Sequence, residues 1–217
     1  MSNFTLAGRK IVAIGRNFSE HAKELGNAIP TKPFFFLKPT SSYLAIGGKI
    51  EIPKGCEVHH EVELGVVIGK EGRDIKSDQA EEYIAGYALG IDMTARNLQN
   101  EAKKKGLPWT EAKGFDTFTP VGDFISKDKL VDPHNLDIWL KVNDEFKQKG
   151  NTQQMIFRIP QLIQHVSSIM RLEPGDLILT GTPAGVGPIF PGQTIKAGLA
   201  YKGEILSQIF FDVVERS

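Results

Sequence analysis

The stretch EVHHEVELGVVIG, residues 57–69, carries the strongest strand signal in the chain. Its first half alternates between polar and apolar side chains, and its second half is continuously apolar. That is the pattern of a strand running from an open site into a core buried on both faces. Glu61 and Glu63 stand two apart, so on one strand their carboxylates project from the same face, roughly 7 Å apart at Cα by strand rise. Like charges so placed repel unless something positive joins them. A hard divalent cation bound by oxygen ligands is one remedy. The other reading is the solvated face of an edge strand, and spacing alone leaves both open.

Working outward, Ile84–Ile91 (IAGYALGI) reads as a second buried strand, and it ends at Asp92. A carboxylate at the end of a neighbouring strand would complete a three-carboxylate set. Such a set suits Mg²⁺ or Mn²⁺ with its other positions filled by water or substrate, rather than a structural zinc site. Thr94 is expected to cap a helix that runs to about Lys105 and stops at Gly106 and Pro108. Arg96 and Gln99 share one face of that helix, turned back toward the carboxylates. An arginine there could clamp a carboxylate and a glutamine could donate to an oxyanion. Lys103, Lys104 and Lys105 fall in the last turn, where cations suit the helix dipole, and read as structural. His59 shares the face of Glu61 and could support it, whereas His60, His134 and His165 read as packing or surface histidines.

Upstream, Lys10–Gly15 (KIVAIG) and Phe34–Leu37 (FFFL) are short apolar strands, the second closed by Lys38 and Pro39. Between them a short helix is expected over Ser19–Leu25, ended by Gly26. His21 and Glu24 are three apart on it, so the carboxylate could orient the imidazole as a general base. Downstream, residues 79–83 look helical. Lys113 lies before a glycine in an irregular stretch, where position alone does not separate a catalytic ammonium from a surface one. Leu136–Val142 alternates, and Asn143 and Asp144 make the turn of a hairpin with Glu145–Gln148. Ile159–Arg171 is the best amphipathic helix. Asp176–Thr180 and Ile205–Val213 are the closing strands. The Gly-rich turn LTGTPAGVG, residues 179–187, has amides that could hold an anion but lacks the spacing of a nucleotide fingerprint.

Strands outnumber helices and do not alternate strictly with them, so an α+β fold with a large curled sheet is expected, as a single domain over residues 1–217. The chain has 26 Lys+Arg and 26 Asp+Glu, so no net field draws it to nucleic acid or anionic lipid. No apolar run approaches the ~20 residues of a membrane helix, so a soluble protein with no membrane or nucleic-acid partner is expected. The only cysteine, Cys56, cannot form an internal disulfide, which fits a reducing compartment. Residues 1–19 contain Arg9, Lys10 and Arg16 and no acid, the bias of a transit peptide, although the first strand begins within them.

The motifs GRNFSEHAKELG, FFFLKP, HHEVELGVVIG, GYALGIDMTARNLQNEAKKKGLPWTEAKGFDTF and LEPGDLILTGTPAGVG, in that order, resemble the fumarylacetoacetate hydrolase family along nearly the whole chain. The likeness is nearest to its short, acylpyruvase-type branch. The resemblance implies the family's mixed β-sandwich roll, a homodimer, and Mg²⁺ or Mn²⁺ held by Glu61, Glu63 and Asp92. It puts His21 and Glu24 on a water-activating dyad in a short helical lid at about residues 17–26. Lys113 and Gln99 fall on positions that contact substrate near the metal, Arg16 and Arg96 on carboxylate contacts, and Thr182 on the binding pocket.

By the same resemblance the expected activity is hydrolysis of the carbon–carbon bond of an acylpyruvate, a small 2-oxo acid, to pyruvate and a carboxylic acid. Oxaloacetate decarboxylation and oxaloacetate keto–enol tautomerisation are the alternatives, since they use the same electron sink. A non-catalytic metal-binding relative is the rival of another class. The lack of an N-terminal extension domain argues against fumarylacetoacetate itself as substrate. Relatives of the branch imply a mitochondrial location, with the cytoplasm as the alternative.

Overall fold

The computed structural model describes residues 3–19, 30–130 and 132–217. Its architecture is α+β, and four sheets carry most of the regular structure. The largest runs, edge to edge, as β10 (Ile125–Ser126), β7 (Ile84–Ile91), β6 (Val62–Ile68), β13 (Leu177–Leu179), β1 (Ile11–Gly15) and β2 (Phe34–Lys38). Within it β1 pairs with β13 in parallel and the other neighbours are antiparallel.

The second sheet has the order β12 (Glu145–Asn151), β11 (Asp137–Val142), β15 (Thr194–Tyr201), β16 (Glu204–Glu215) and β4 (Lys49–Ile52). Two small sheets complete the set: β14 (Gly187–Ile189), β5 (Val58–His60) and β8 (Thr94–Ala95), and then β3 (Tyr43–Leu44) with β9 (Thr119–Pro120). Among the described residues the α-helices are α1 (Phe4–Ala7), α2 (Arg96–Lys105), α3 (Thr110–Lys113) and α4 (Ile159–Ser167). Among the described residues no helix is long and apolar enough to cross a membrane.

The continuous apolar run of β6 has a direct cause: the strand is buried on both faces. Val62, Leu64, Val66 and Ile68 join the main core, while Val67 joins a smaller cluster with Ile11, Ala13, Leu177 and Leu179. Period-two side chains therefore meet apolar surroundings on either side, and burying each such side chain is worth about 1.5–3 kcal/mol.

The single strand expected over residues 57–69 is two strands in different sheets, broken at Glu61. Gln148, fully buried on β12, organises the break. Its Oε1 accepts the Val62 amide at 3.1 Å and sits 3.0 Å from His60 Nδ1. Its Nε2 donates to Thr182 Oγ1 and the Pro183 carbonyl at 2.8 and 2.9 Å. The Glu61 carbonyl takes the Asp92 amide at 2.8 Å.

Other expectations shift at element ends. Thr94 does not cap α2: it belongs to β8, and its hydroxyl donates to the Asp92 carbonyl at 3.2 Å. Gly106 ends α2 in the left-handed region at φ 65°, as its lack of a Cβ allows. Residues 77–83 form a 3₁₀ helix. The helix over 159–171 stops at Ser167, and Ile169 beyond it is exposed.

Strands β4 and β15 have no counterpart in the sequence-based expectation. In β15 the local signal is diluted by Gly198, which lies directly opposite Trp139. A Cβ at 198 would fall 2.2 Å from the indole ring, so packing demands the residue that obscures the strand.

Candidate metal centre and ligand cleft

Three acidic side chains converge where β6 and β7 meet. Val62 pairs with Ile91 in register, so the residues flanking that pair, Glu61 and Asp92, are brought side by side, and Glu63 follows on β6. One carboxylate oxygen from each of Glu61, Glu63 and Asp92 lies within 4.8 Å of the other two, and all three residues are buried. The sequence had suggested Glu61 and Glu63 on one continuous strand. The break at Glu61 instead aims both into the same cluster.

Two buried lysines face this cluster. Lys38, the last residue of β2, puts its Nζ 2.5 Å from Asp92 Oδ1 and donates to the Phe118 carbonyl at 2.7 Å. Lys113, on α3, puts its Nζ 2.5 Å from Asp92 Oδ2 and 3.1 Å from Glu61 Oε2. Burial acts to lower both ammonium groups. It prevails at Lys38, which is also repelled by Lys113, so that pKa falls. At Lys113 the attraction of Asp92 and Glu61 outweighs burial, and the pKa rises. Lys38 had not been singled out in the sequence; a lysine closing an apolar strand before proline reads as an exposed end.

Arg96 completes the charge balance. Its guanidinium pairs with Glu61, donates to Gln99 Oε1 at 2.5 Å and reaches His59 Nδ1 at 3.4 Å. His59 in turn meets Glu57 Oε1 at 2.9 Å, so it supports the site through the arginine. With Gln99 Oε1 taken by Arg96, the amide nitrogen is the end left to donate into the cleft.

Glu63 differs from the other two acids. Its Oε2 accepts the Gly181 amide at 2.7 Å, so this amide of the Gly-rich turn is taken by the protein's own side chain. Among the described residues Glu63 has no cationic partner. Burial first, then Asp92 and Glu61, hold its carboxyl well above the usual carboxylate range. A buried site of three clustered carboxylates, one of them in no direct ion pair among the described residues, fits a hard divalent cation with oxygen ligands.

The triad opens into a small cavity of about 30 Å³ lined also by Arg16, Gln99, Lys103, Lys113, Phe36, Trp109 and Thr182. Arg16 takes a left-handed backbone conformation at φ 55° and stands 5.7 Å from the Phe34 ring centroid. Thr182 reaches the cleft, but its hydroxyl donates to the Val62 carbonyl at 2.8 Å and accepts from Gln148. Its role in the structure is to brace the strand break.

Lys103 was read as a helix-dipole lysine. The structure sets it in the cleft lining, 5.4 Å from the Trp109 ring centroid. Phe36 and Trp109 also escaped sequence reading, although Phe34 and Phe36 alternate in FFFL and so share a face. Their rings and that of Trp109 form a wall, Phe34 edge-to-face with Trp109 at 5.9 Å between centroids and Phe36 tilted against it at 5.3 Å. His21, Glu24 and most of the expected lid lie outside the described residues.

The chain is similar to known proteins along nearly its whole length. The family model described as fumarylacetoacetate (FAA) hydrolase C-terminal matches residues 10–209. A Dictyostelium discoideum protein named oxaloacetate decarboxylase, mitochondrial, is 58% identical over 218 residues, covering 100% of this chain and 99% of the relative. An Arabidopsis thaliana protein named oxaloacetate tautomerase FAHD1, mitochondrial, is 57% identical over 210 residues, covering 96% of this chain and 92% of the relative. The solved structure of fumarylpyruvate hydrolase from Pseudomonas aeruginosa in complex with Mn²⁺ and pyruvate superposes with a TM-score of 0.88. It is 34% identical, over 96% of this chain and 91% of that one.

Proposed function

The chain belongs to the fumarylacetoacetate hydrolase family, and from that premise we propose that it is an oxaloacetate enzyme, a decarboxylase or keto–enol tautomerase, with Mg²⁺ or Mn²⁺ held by Glu61, Glu63 and Asp92. The choice of oxaloacetate over acylpyruvates is supported by the relatives at 58% and 57% identity, whose names specify that substrate. The observation that carries the chemistry is the placing of Lys113 Nζ between Glu61 and Asp92, beside whatever the triad holds.

A divalent cation on the triad supplies Lewis acidity toward the carboxylate and keto oxygens of a 2-oxo acid. The chain's own groups do the rest. In decarboxylation the C3–C4 bond breaks, CO₂ leaves, and the electron pair moves into the C2–C3 double bond of pyruvate enolate. In tautomerisation a proton leaves C3 and one arrives on the keto oxygen. Both reactions build negative charge on the C2 oxygen. Lys113, kept protonated by its two carboxylate neighbours, and the amide nitrogen of Gln99 are the donors that meet that charge. Arg96 holds Glu61 and Gln99 in position, and the aromatic wall of Phe36 and Trp109 limits water.

Acylpyruvate hydrolysis is the second reading, favoured by the likeness to the fumarylpyruvate hydrolase. It needs an activated water, for which His21 and Glu24 are the proposed base and its partner. The test is an assay of the purified protein with oxaloacetate and with acetylpyruvate, in Mg²⁺, in Mn²⁺ and in EDTA. Metal-dependent loss of oxaloacetate or of its enol supports the main reading. Cleavage of acetylpyruvate alone supports the second, and no turnover of either leaves a metal-binding relative.

A homodimer is part of this proposal. Strand β2 is a sheet edge, and Leu37 on it and Leu107 near it are 44% and 54% exposed beside Phe34, Phe36 and Trp109. Light scattering should return twice the mass of one chain. A mitochondrial location is proposed on the names of the same two relatives, with the cytoplasm as the alternative.

A further inference from the structure

We propose that Lys103, assisted by Arg16, grips the carboxylate of the substrate remote from its 2-oxo acid end. It thereby selects C4 dicarboxylates over uncharged acyl chains and steers oxaloacetate toward tautomerisation rather than decarboxylation. The inference rests on the oxaloacetate reading above.

The first argument is charge. Around the triad, Glu61, Glu63 and Asp92 are matched by Lys38, Lys113 and Arg96, all but Glu63 in direct ion pairs. Arg16 and Lys103 line the same cleft, and among the described residues neither is paired with a carboxylate. Among the described residues the cleft therefore carries two cations beyond those that match the triad, before any metal arrives. A monoanionic acylpyruvate, its one charge spent at the triad end, leaves both unmatched. A dianion brings a second negative charge to them.

The second argument is position. Arg96, Gln99 and Lys103 are spaced by three and four residues on α2, so they form one stripe facing the cleft. Gln99 lies at the deep end with the triad, and Lys103 lies one turn further out, its ammonium over the Trp109 ring. A substrate whose 2-oxo acid end meets Lys113 and Gln99 presents its other end toward the rim, where Lys103 can swing on its four-carbon stem. Partial desolvation and the neighbouring Arg96 and Arg16 depress the Lys103 pKa, so an anion placed there relieves a cost already present.

The third argument concerns the reaction. Decarboxylation turns the C4 carboxylate into neutral CO₂, so a cation bound to that group stabilises the starting state and is lost along the way. Tautomerisation keeps both carboxylates intact, and the same contact persists throughout.

The test compares wild type with Lys103→Met and Lys103→Arg, loaded with Mg²⁺. Calorimetric titration with oxaloacetate and with pyruvate, which lacks the remote carboxylate, is run with each protein also carrying Lys113→Met, which suppresses turnover, and reads recognition. Lys103→Met should lose about tenfold or more in oxaloacetate affinity while pyruvate binding holds, and Lys103→Arg should keep the preference. In turnover, Lys103→Met should raise the ratio of pyruvate formed to enol interconverted. An oxaloacetate preference that survives in Lys103→Met, or equal losses for both ligands, overturns the inference. If wild type binds oxaloacetate better than pyruvate through Lys103 yet turns it over in neither way, the functional reading fails and the specificity assignment stands.

Discussion

Lys38 and Asp92 form a buried ion pair, with Nζ 2.5 Å from Oδ1 and both side chains at most 2% exposed. The pair joins the end of β2 to the end of β7. Asp92 thus has one oxygen committed to Lys38 and the other to Lys113, which fixes the plane of its carboxylate.

Removing Lys38 leaves Asp92 Oδ1 buried without its partner, while Oδ2 keeps Lys113. Lys38→Met should therefore lower unfolding free energy by about 1–3 kcal/mol, read by urea denaturation. The Phe118 and Met93 carbonyls lose a donor in the same change. A midpoint equal to wild type would show that Asp92 is held by something else.

Lys113→Met addresses the electron sink. Loss of a single donor to a developing oxyanion typically costs about 10²–10³ in rate, and that loss is expected in kcat with KM little changed. Unaltered kcat would remove Lys113 from the chemistry.

Glu63→Gln tests the cation. Mg²⁺ should raise the melting temperature of wild type, since a ligand at 100 times its Kd stabilises by about 2.7 kcal/mol. The variant should show no such rise. In EDTA it should be about as stable as wild type, because burial, Asp92 and Glu61 already hold the Glu63 carboxyl toward its neutral form, which glutamine resembles. A full Mg²⁺-dependent rise in Glu63→Gln would mean that the ion binds elsewhere.

His134 provides a pH dependence away from the site. Its Nε2 accepts the Ile159 amide at 3.1 Å, at the start of α4, so that nitrogen must be unprotonated. Desolvation, then Arg158, lowers its pKa in the folded state. A histidine depressed on folding contributes stability that is present above its unfolded pKa of about 6.5 and is lost as pH falls through the folded value. Denaturation of wild type at pH 7.5 and pH 5 should show that loss, and His134→Gln should shrink it. Equal slopes for the two proteins would assign the acid sensitivity to other groups.

Elements whose cause is local were legible in the sequence. Strand β7 occupies residues 84–91 as its apolar run requires, Gly106 ends α2, and Asn143 and Asp144, both at positive φ, turn β11 into β12. Backbone propensity and side-chain period act over a few residues, so the pattern is written where it operates. The candidate ligands Glu61, Glu63 and Asp92 were also legible, but through resemblance: strand spacing left the first two undecided and did not bring the third to them.

Tertiary structure alone decided the rest. The break at Glu61 depends on Gln148, more than eighty residues away, which takes the Val62 amide out of a regular ladder. The role of Lys38 depends on an aspartate from another strand and on carbonyls of Met93 and Phe118. Lys103 changed from a helix-end cation to a cleft residue only when Trp109 and Arg16 were placed beside it. A charged side chain reads alike in sequence whether it meets water or a buried carboxylate. Which of these it meets is settled by desolvation and Coulomb energies among residues that only the folded chain brings together.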